Sequence, residues 1–121
     1  MIEKIFNKHS SEPMFYVNSA RDISFFKGND LNYMRAFNNS TEIYLEDGRM
    51  ITVFTPFCTC CDILKEYITC INDSFAYNYM QLSSYHKTNK TLLFRNNVLY
   101  QMTDEQATAF NKKEARLGTK L

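Results

Sequence analysis

Apolar and polar residues alternate along most of this chain, and the alternation predicts strands. In residues 41–54, Ile43 and Leu45 fall on one face of a first extended run. Ile51 and Val53 fall on one face of a second, with Asp47-Gly48 between them. Gly tolerates the positive φ of a tight primed turn, so the segment predicts a two-strand ribbon. Thr55 and Pro56 follow at once. A Thr side chain can cap a helix whose first position is Pro, where the missing N–H costs little. Phe57, Cys60, Cys61, Leu64 and Ile68 then recur at steps of three and four, one apolar stripe of a short helix over 56–67.

The same reading places further strands at 15–17, 23–26, 31–37, 75–82, 91–94 and 98–102. Turn-forming clusters separate them: 27–30, 38–40, 72–74, 86–90 and 96–97. Residues 1–14 are set apart as an N-terminal extension, its start a short strand or a helical turn. Residues 15–121 form one domain. Thr103-Asp104-Glu105-Gln106 has the spacing of a capping box, with two carboxylates where a helix dipole favours them. A closing helix to about residue 116 is predicted, with Gly118 as its stop. Its apolar side is thin (Ala107, Phe110, Ala115 and Leu117), so it should rest on a sheet by Phe110. The fold class is mainly β with short helices.

Composition narrows the class. The 121 residues hold 8 Tyr and 10 Phe but 3 Gly and 2 Pro, too aromatic and too poor in breakers for a disordered or low-complexity chain. The formal net charge is +1, which does not announce a nucleic-acid binder. Its distribution is uneven: residues 86–121 carry about +4 and the first 85 about −3. That end is either a solvated helix surface with a basic tail or a face for phosphates. No apolar leader with a cleavage site is seen, and no run approaches the ~18 apolar residues of a membrane helix. The expectation is a cytoplasmic protein with reduced thiols.

The order strand, strand, Asp-Gly hairpin, short helix, strand, hairpin, C-terminal helix resembles the LytTR DNA-binding domain of bacterial response regulators. The residues that carry the likeness are Asp22-Ile23-Ser24-Phe25-Phe26, the ribbon at 43–53 and the helix after Thr55. Phe75-Ala76-Tyr77-Asn78-Tyr79-Met80-Gln81-Leu82 is similar to the family's Phe-led strand, and 92–102 to its Asn-containing hairpin. The likeness spans roughly residues 15 to 115. This chain has Asn78-Tyr79 where the family commonly has His-Arg or His-Asn, and Thr103-Asp104 where it commonly has Ser-Arg. The resemblance implies an elongated LytTR-like β-sheet fold whose loops enter successive major grooves of double-stranded DNA. It implies a transcription regulator, working as a possible homodimer, with no cofactor, membrane or small-molecule substrate. The alternative is a non-enzymatic protein–protein interaction module on the same scaffold. Near-neutral charge, Asp104 and the many Tyr favour that option, since Tyr is enriched at interfaces.

The candidate DNA-binding residues are Lys27, Asn29, Asn32, Arg35, Asn78, Tyr79, Lys87 and Lys90. Asn can pair bidentately with adenine and Arg with guanine in the major groove. Lys27, Arg35, Tyr79, Lys87 and Lys90 suit phosphates, which position a protein without reading sequence. Each has a plainer reading. Residues 27–30 also make an ordinary polar turn, Tyr77 and Tyr79 alternate like packed strand residues, and 86–90 reads as a solvated loop. The four cysteines, Cys58, Cys60, Cys61 and Cys70, are too unevenly spaced for paired zinc knuckles. They read mainly as small core hydrophobes, with metal or redox sensing as the other option. No catalytic motif is present, so an enzyme is not expected.

Overall fold

The computed structural model describes residues 2–6 and 13–117. Among the described residues, eleven strands form three antiparallel sheets. The first contains β1 (Ile2–Phe6), β2 (Pro13–Asn18) and β3 (Ile23–Lys27). The central sheet has the order β6-β5-β4-β8-β7. Its strands are β4 (Leu31–Phe37), β5 (Ser40–Leu45), β6 (Met50–Val53), β7 (Thr69–Cys70) and β8 (Phe75–Tyr77). The third sheet holds β9 (Leu82–His86), β10 (Thr91–Phe94) and β11 (Leu99–Gln101). Helix α1 (Phe57–Ile63) follows β6, and α2 (Asp104–Leu117) closes the described chain.

Period-two alternation in the central sheet sends side chains to two different cores. Met34, Ile43, Leu45, Ile51, Val53 and Ala76 pack toward the first sheet and α1, meeting Ile2, Phe15, Phe26, Phe57, Cys60 and Leu64. Tyr33, Phe75 and Tyr77 point the other way, toward Leu92, Phe94, Met102, Ala107 and Phe110 of the third sheet and α2. With both faces covered, Leu31, Asn32, Tyr33 and Met34 of the central strand β4 are all buried. Ile2, inside the segment set apart as an extension, is buried as β1 pairs with β2.

Several local expectations hold and several are corrected. Strands β4 and β10 keep the predicted bounds. The capping box forms as drawn: Gln106 N–H donates to Thr103 Oγ1 at 3.1 Å, and Thr103 N–H donates to Gln106 Oε1 at 3.1 Å. The β5–β6 connection is not a two-residue primed turn. Gly48 N–H bonds the Leu45 carbonyl, Leu45 N–H bonds the Arg49 carbonyl, and Gly48 sits at φ 93°. This is a three-residue loop with its left-handed position on the glycine. Thr55 does not cap α1. It is buried, Pro56 holds the cap position without a side-chain bond, and the Thr55 carbonyl accepts from Thr41 Oγ1 at 2.9 Å. The strand expected over 75–82 breaks at Asn78, whose Oδ1 accepts from Met80 N–H and turns Tyr79–Gln81 into 3₁₀ geometry. Two strands lie outside the expected elements: β7, which carries no apolar run, and β9, which starts where the 75–82 strand was expected to end. Gly118 lies outside the described residues, as do the side chains of Ala115 and Leu117.

Candidate nucleic-acid interface

Strand direction places four turns at one end of the central sheet. The 3₁₀ turn Gly28–Asp30 leads into β4, and the 3₁₀ turn Tyr79–Gln81 leaves β8. The loop at 46–49 joins β5 to β6, and the turn at 95–98 joins β10 to β11. Hydrogen bonds lock them together. Asn78 N–H donates to the Asn32 carbonyl at 2.8 Å, and Gln81 Nε2 to the Asn29 carbonyl at 2.5 Å. Arg95 N–H donates to the Gln81 carbonyl at 2.8 Å. Glu46 N–H donates to the Asp30 carbonyl at 2.8 Å. Asn96 is the tie between three of them. Its Nδ2 donates to the Glu46 carbonyl at 2.8 Å, while its Oδ1 accepts from Asn32 Nδ2 at 3.0 Å and from Val98 N–H. Gly28 makes room for the Tyr67 ring: a Cβ there would lie 2.5 Å from ring carbons, so any larger residue has to displace that ring.

The eight sequence-derived candidates divide. Lys27, at the end of β3, and Asn29 and Tyr79, on the two 3₁₀ turns, are exposed. Tyr79 and Met80 line an open groove with Arg95. Asn32 and Asn78 are each 1% exposed, Asn32 Nδ2 bonded to Asn96 and the Asn78 amide to Asn29 and Met80, so neither presents an amide to a duplex. Arg35 lies on the aromatic face of the central sheet, paired with Glu42 and 5.8 Å from the Tyr44 ring centroid. Its cation is committed to structure. Lys87 and Lys90 sit at the opposite end of β10, four strand residues or roughly 13 Å from the turn at 95–98. Lys87 is exposed, and Lys90 pairs with Asp104 at the start of α2. The segment at 86–90 therefore does not join the cluster of turns. Arg95 and Asn96 belong to that cluster and were read only as part of a hairpin; the two Asn in succession at a turn were the available signal.

Charge at the turn cluster is mixed. Lys27 and Arg95 are exposed, and Arg49 pairs with Asp47 while donating from Nη2 to the Phe25 carbonyl at 2.8 Å. The Arg49 backbone N–H, and then its guanidinium, hold the Asp47 carboxyl below the usual range. Glu46 is shifted the other way, upward, by desolvation first and then by the Asp30 carboxylate beside it. Asp104 is lowered by its bond to Lys90. Behind the cluster, Tyr33 stacks on Tyr44 at 4.4 Å and meets Phe94 and Tyr100. Burial, then Tyr44, pushes the Tyr33 phenol far up, so it stays neutral.

The cysteines take three environments. Cys60 is buried in the first core, and burial pushes its thiol up. Cys61 and Cys70 are joined in a disulfide, against the expectation of reduced, core-packed thiols, and Cys58 is free and exposed. Among the described residues no group of three or more His, Cys, Asp or Glu is placed to hold a metal ion. Nor is any helix long and apolar enough to cross a membrane.

No family model and no curated protein matches the chain. A solved structure does: a "LytTr DNA-binding domain" from Bacillus cereus, 16% identical, with a TM-score of 0.64. The match covers 91% of this chain and 100% of that one. A match over that much of both chains shows that this chain has the LytTR-type fold.

Proposed function

We propose that this protein is a cytoplasmic, non-enzymatic transcription regulator that binds double-stranded DNA by its turns. The observation that carries the reading is the meeting of the 3₁₀ turns Gly28–Asp30 and Tyr79–Gln81 with the turn at 95–98 at one sheet end. They present Lys27, Asn29, Tyr79 and Arg95 together on a hydrogen-bonded base. A rigid group of tips is what a duplex groove requires, since base readout depends on fixed geometry. Lys87, at the far end of β10, suits a second phosphate contact along the duplex axis. Two copies on paired sites complete the proposal.

Fluorescence anisotropy with a random 25-base-pair duplex tests it. Binding at low salt that weakens steeply as salt rises is the expected result, with a log–log slope of roughly −3 for three phosphate contacts. Absence of binding at low salt, or an affinity indifferent to salt, overturns the reading.

One observation favours a second reading, a protein-contact module on this scaffold. At the turn cluster Asp30, Glu46 and Asp47 stand beside Lys27, Arg49 and Arg95, so opposite charges balance. Tyr79 and Met80 are 54% and 64% exposed, a composition that also fits a protein interface. Neutral salt-insensitive behaviour toward DNA selects this option.

A further inference from the structure

We propose that Cys61 and Cys70 form a thiol–disulfide exchange site, open to small thiols, whose reduction releases β7 from α1. Cys61 lies on α1 and is half-buried; Cys70 lies on β7 and is exposed. Their Cα atoms stand 6.7 Å apart, within the span of a disulfide. Both line one open groove together with Phe57, Cys58, Lys65 and Asp62. A small thiol therefore reaches the bond from solvent, and exposed disulfides are the exchangeable ones. The Lys65 ammonium in that groove favours a departing thiolate, with the Asp62 carboxylate opposing it. Buried Cys60, one residue away, offers no such access.

Beside the disulfide, β7 is held at its flanks by Ile68, buried in the first core with its N–H on the Leu64 carbonyl, and by Ile71 N–H on the Phe75 carbonyl, so the strand itself is what reduction frees. It is two residues long, at the edge of the central sheet, and among the described residues pairs with β8 alone, through Thr69↔Tyr77 and Cys70↔Ala76. The disulfide ties this edge to α1. Reduction proceeds in two balanced steps. A thiolate of a small thiol such as glutathione attacks Cys70 Sγ, forming a mixed disulfide and expelling the Cys61 thiolate, which takes a proton from water. A second glutathione thiolate attacks the glutathione sulfur of that mixed disulfide, leaving glutathione disulfide and the Cys70 thiolate. Two electrons pass from the two glutathione thiols to the protein; oxidised glutathione reverses both steps.

The test uses the whole chain. Exposed Cys58 is first alkylated under native conditions, without reductant. The protein is then equilibrated in glutathione buffers of rising thiol share, quenched with a second alkylating agent and weighed by intact mass spectrometry. Peptide mapping assigns the labels. The expected result is two further labels, at Cys61 and Cys70, appearing together and lost again in oxidised glutathione. Hydrogen exchange at Thr69, Ile71 and Tyr77, whose N–H groups lie between β7 and β8, should rise at least tenfold in the reduced form, while β10 is unchanged. Failure to label in excess native thiol, failure to re-form, independent labelling of the two sulfurs, or unaltered exchange at β7 each overturns the proposal. The test contains no DNA, so its outcome is separate from that of the proposed DNA binding.

Discussion

Asn96→Ala should destabilise the protein far more than its position in a surface turn suggests. The side chain makes three hydrogen bonds, accepting from Asn32 Nδ2 and Val98 N–H and donating to the Glu46 carbonyl. Each is worth about 1 kcal/mol net. The loss at Asn32 is the larger one. That residue is 1% exposed, and its Oδ1 already has no partner. Without Asn96 the whole Asn32 amide is stranded in the interior, where an unmet polar group costs about 1–3 kcal/mol. Water entering the vacated space offsets part of this, so the expected total is about 2–4 kcal/mol. Urea unfolding followed by circular dichroism reads it: with m of about 1–3 kcal/mol per M, the midpoint should fall by roughly 1–2 M at unchanged m. A double-mutant cycle with Asn32→Ala should give a coupling above about 1 kcal/mol, because the two side chains touch. A loss under about 0.5 kcal/mol, typical of an unremarkable surface change, would refute the idea that this amide ties the turns together.

Four further outcomes are expected. Lys27→Ala should reduce the salt slope of duplex binding by about 0.9 without altering the melting temperature; an unchanged slope removes Lys27 from the interface. Glu46→Gln should raise both duplex affinity and melting temperature at pH 7. Glu46 titrates above its ordinary value, so its carboxylate is penalised in the fold at neutral pH. That penalty disappears as pH falls through the raised value, so the variant and the parent should converge in acid; a gap that widens in acid contradicts the assignment. Phe110→Ala should cost about 3–5 kcal/mol in chemical denaturation, since the ring is fully buried against Tyr77 and Tyr85. Reducing the Cys61–Cys70 bond, which closes a loop of nine-residue separation, should cost about 2–3 kcal/mol in the same assay.

Residue-level patterns delivered the local elements because those patterns are physically short-ranged. Alternation of Ile43, Leu45, Ile51 and Val53 declared the ribbon, and all four are buried. The Thr103–Gln106 pair declared its helix start, and both reciprocal bonds form. The likeness to LytTR domains also held at the level of fold, through element order. Where a tertiary partner competes with a local preference, the local signal failed. Thr55 turns inward because its carbonyl serves Thr41 across the sheet. The aromatic run after Phe75 breaks because the Asn78 side chain bonds its own downstream backbone.

What the sequence by itself determined is therefore most of the elements, with β7 and β9 the exceptions, their order and which face of each is apolar. Those follow from periodicity and from neighbours within four residues. What only the tertiary structure decided is which turns meet. Asn32 and Asn78 look like readers of bases in one dimension, yet the packing of layers on both sides of β4 buries them. Lys87 and Lys90 look like companions of Lys27, yet the direction of β10 carries them to the other end. Arg95 and Asn96 enter the cluster, and Cys61 finds Cys70, through contacts between elements distant along the chain or across a loop. Such contacts depend on strand direction and layer stacking, and no pattern in a single stretch of residues encodes those.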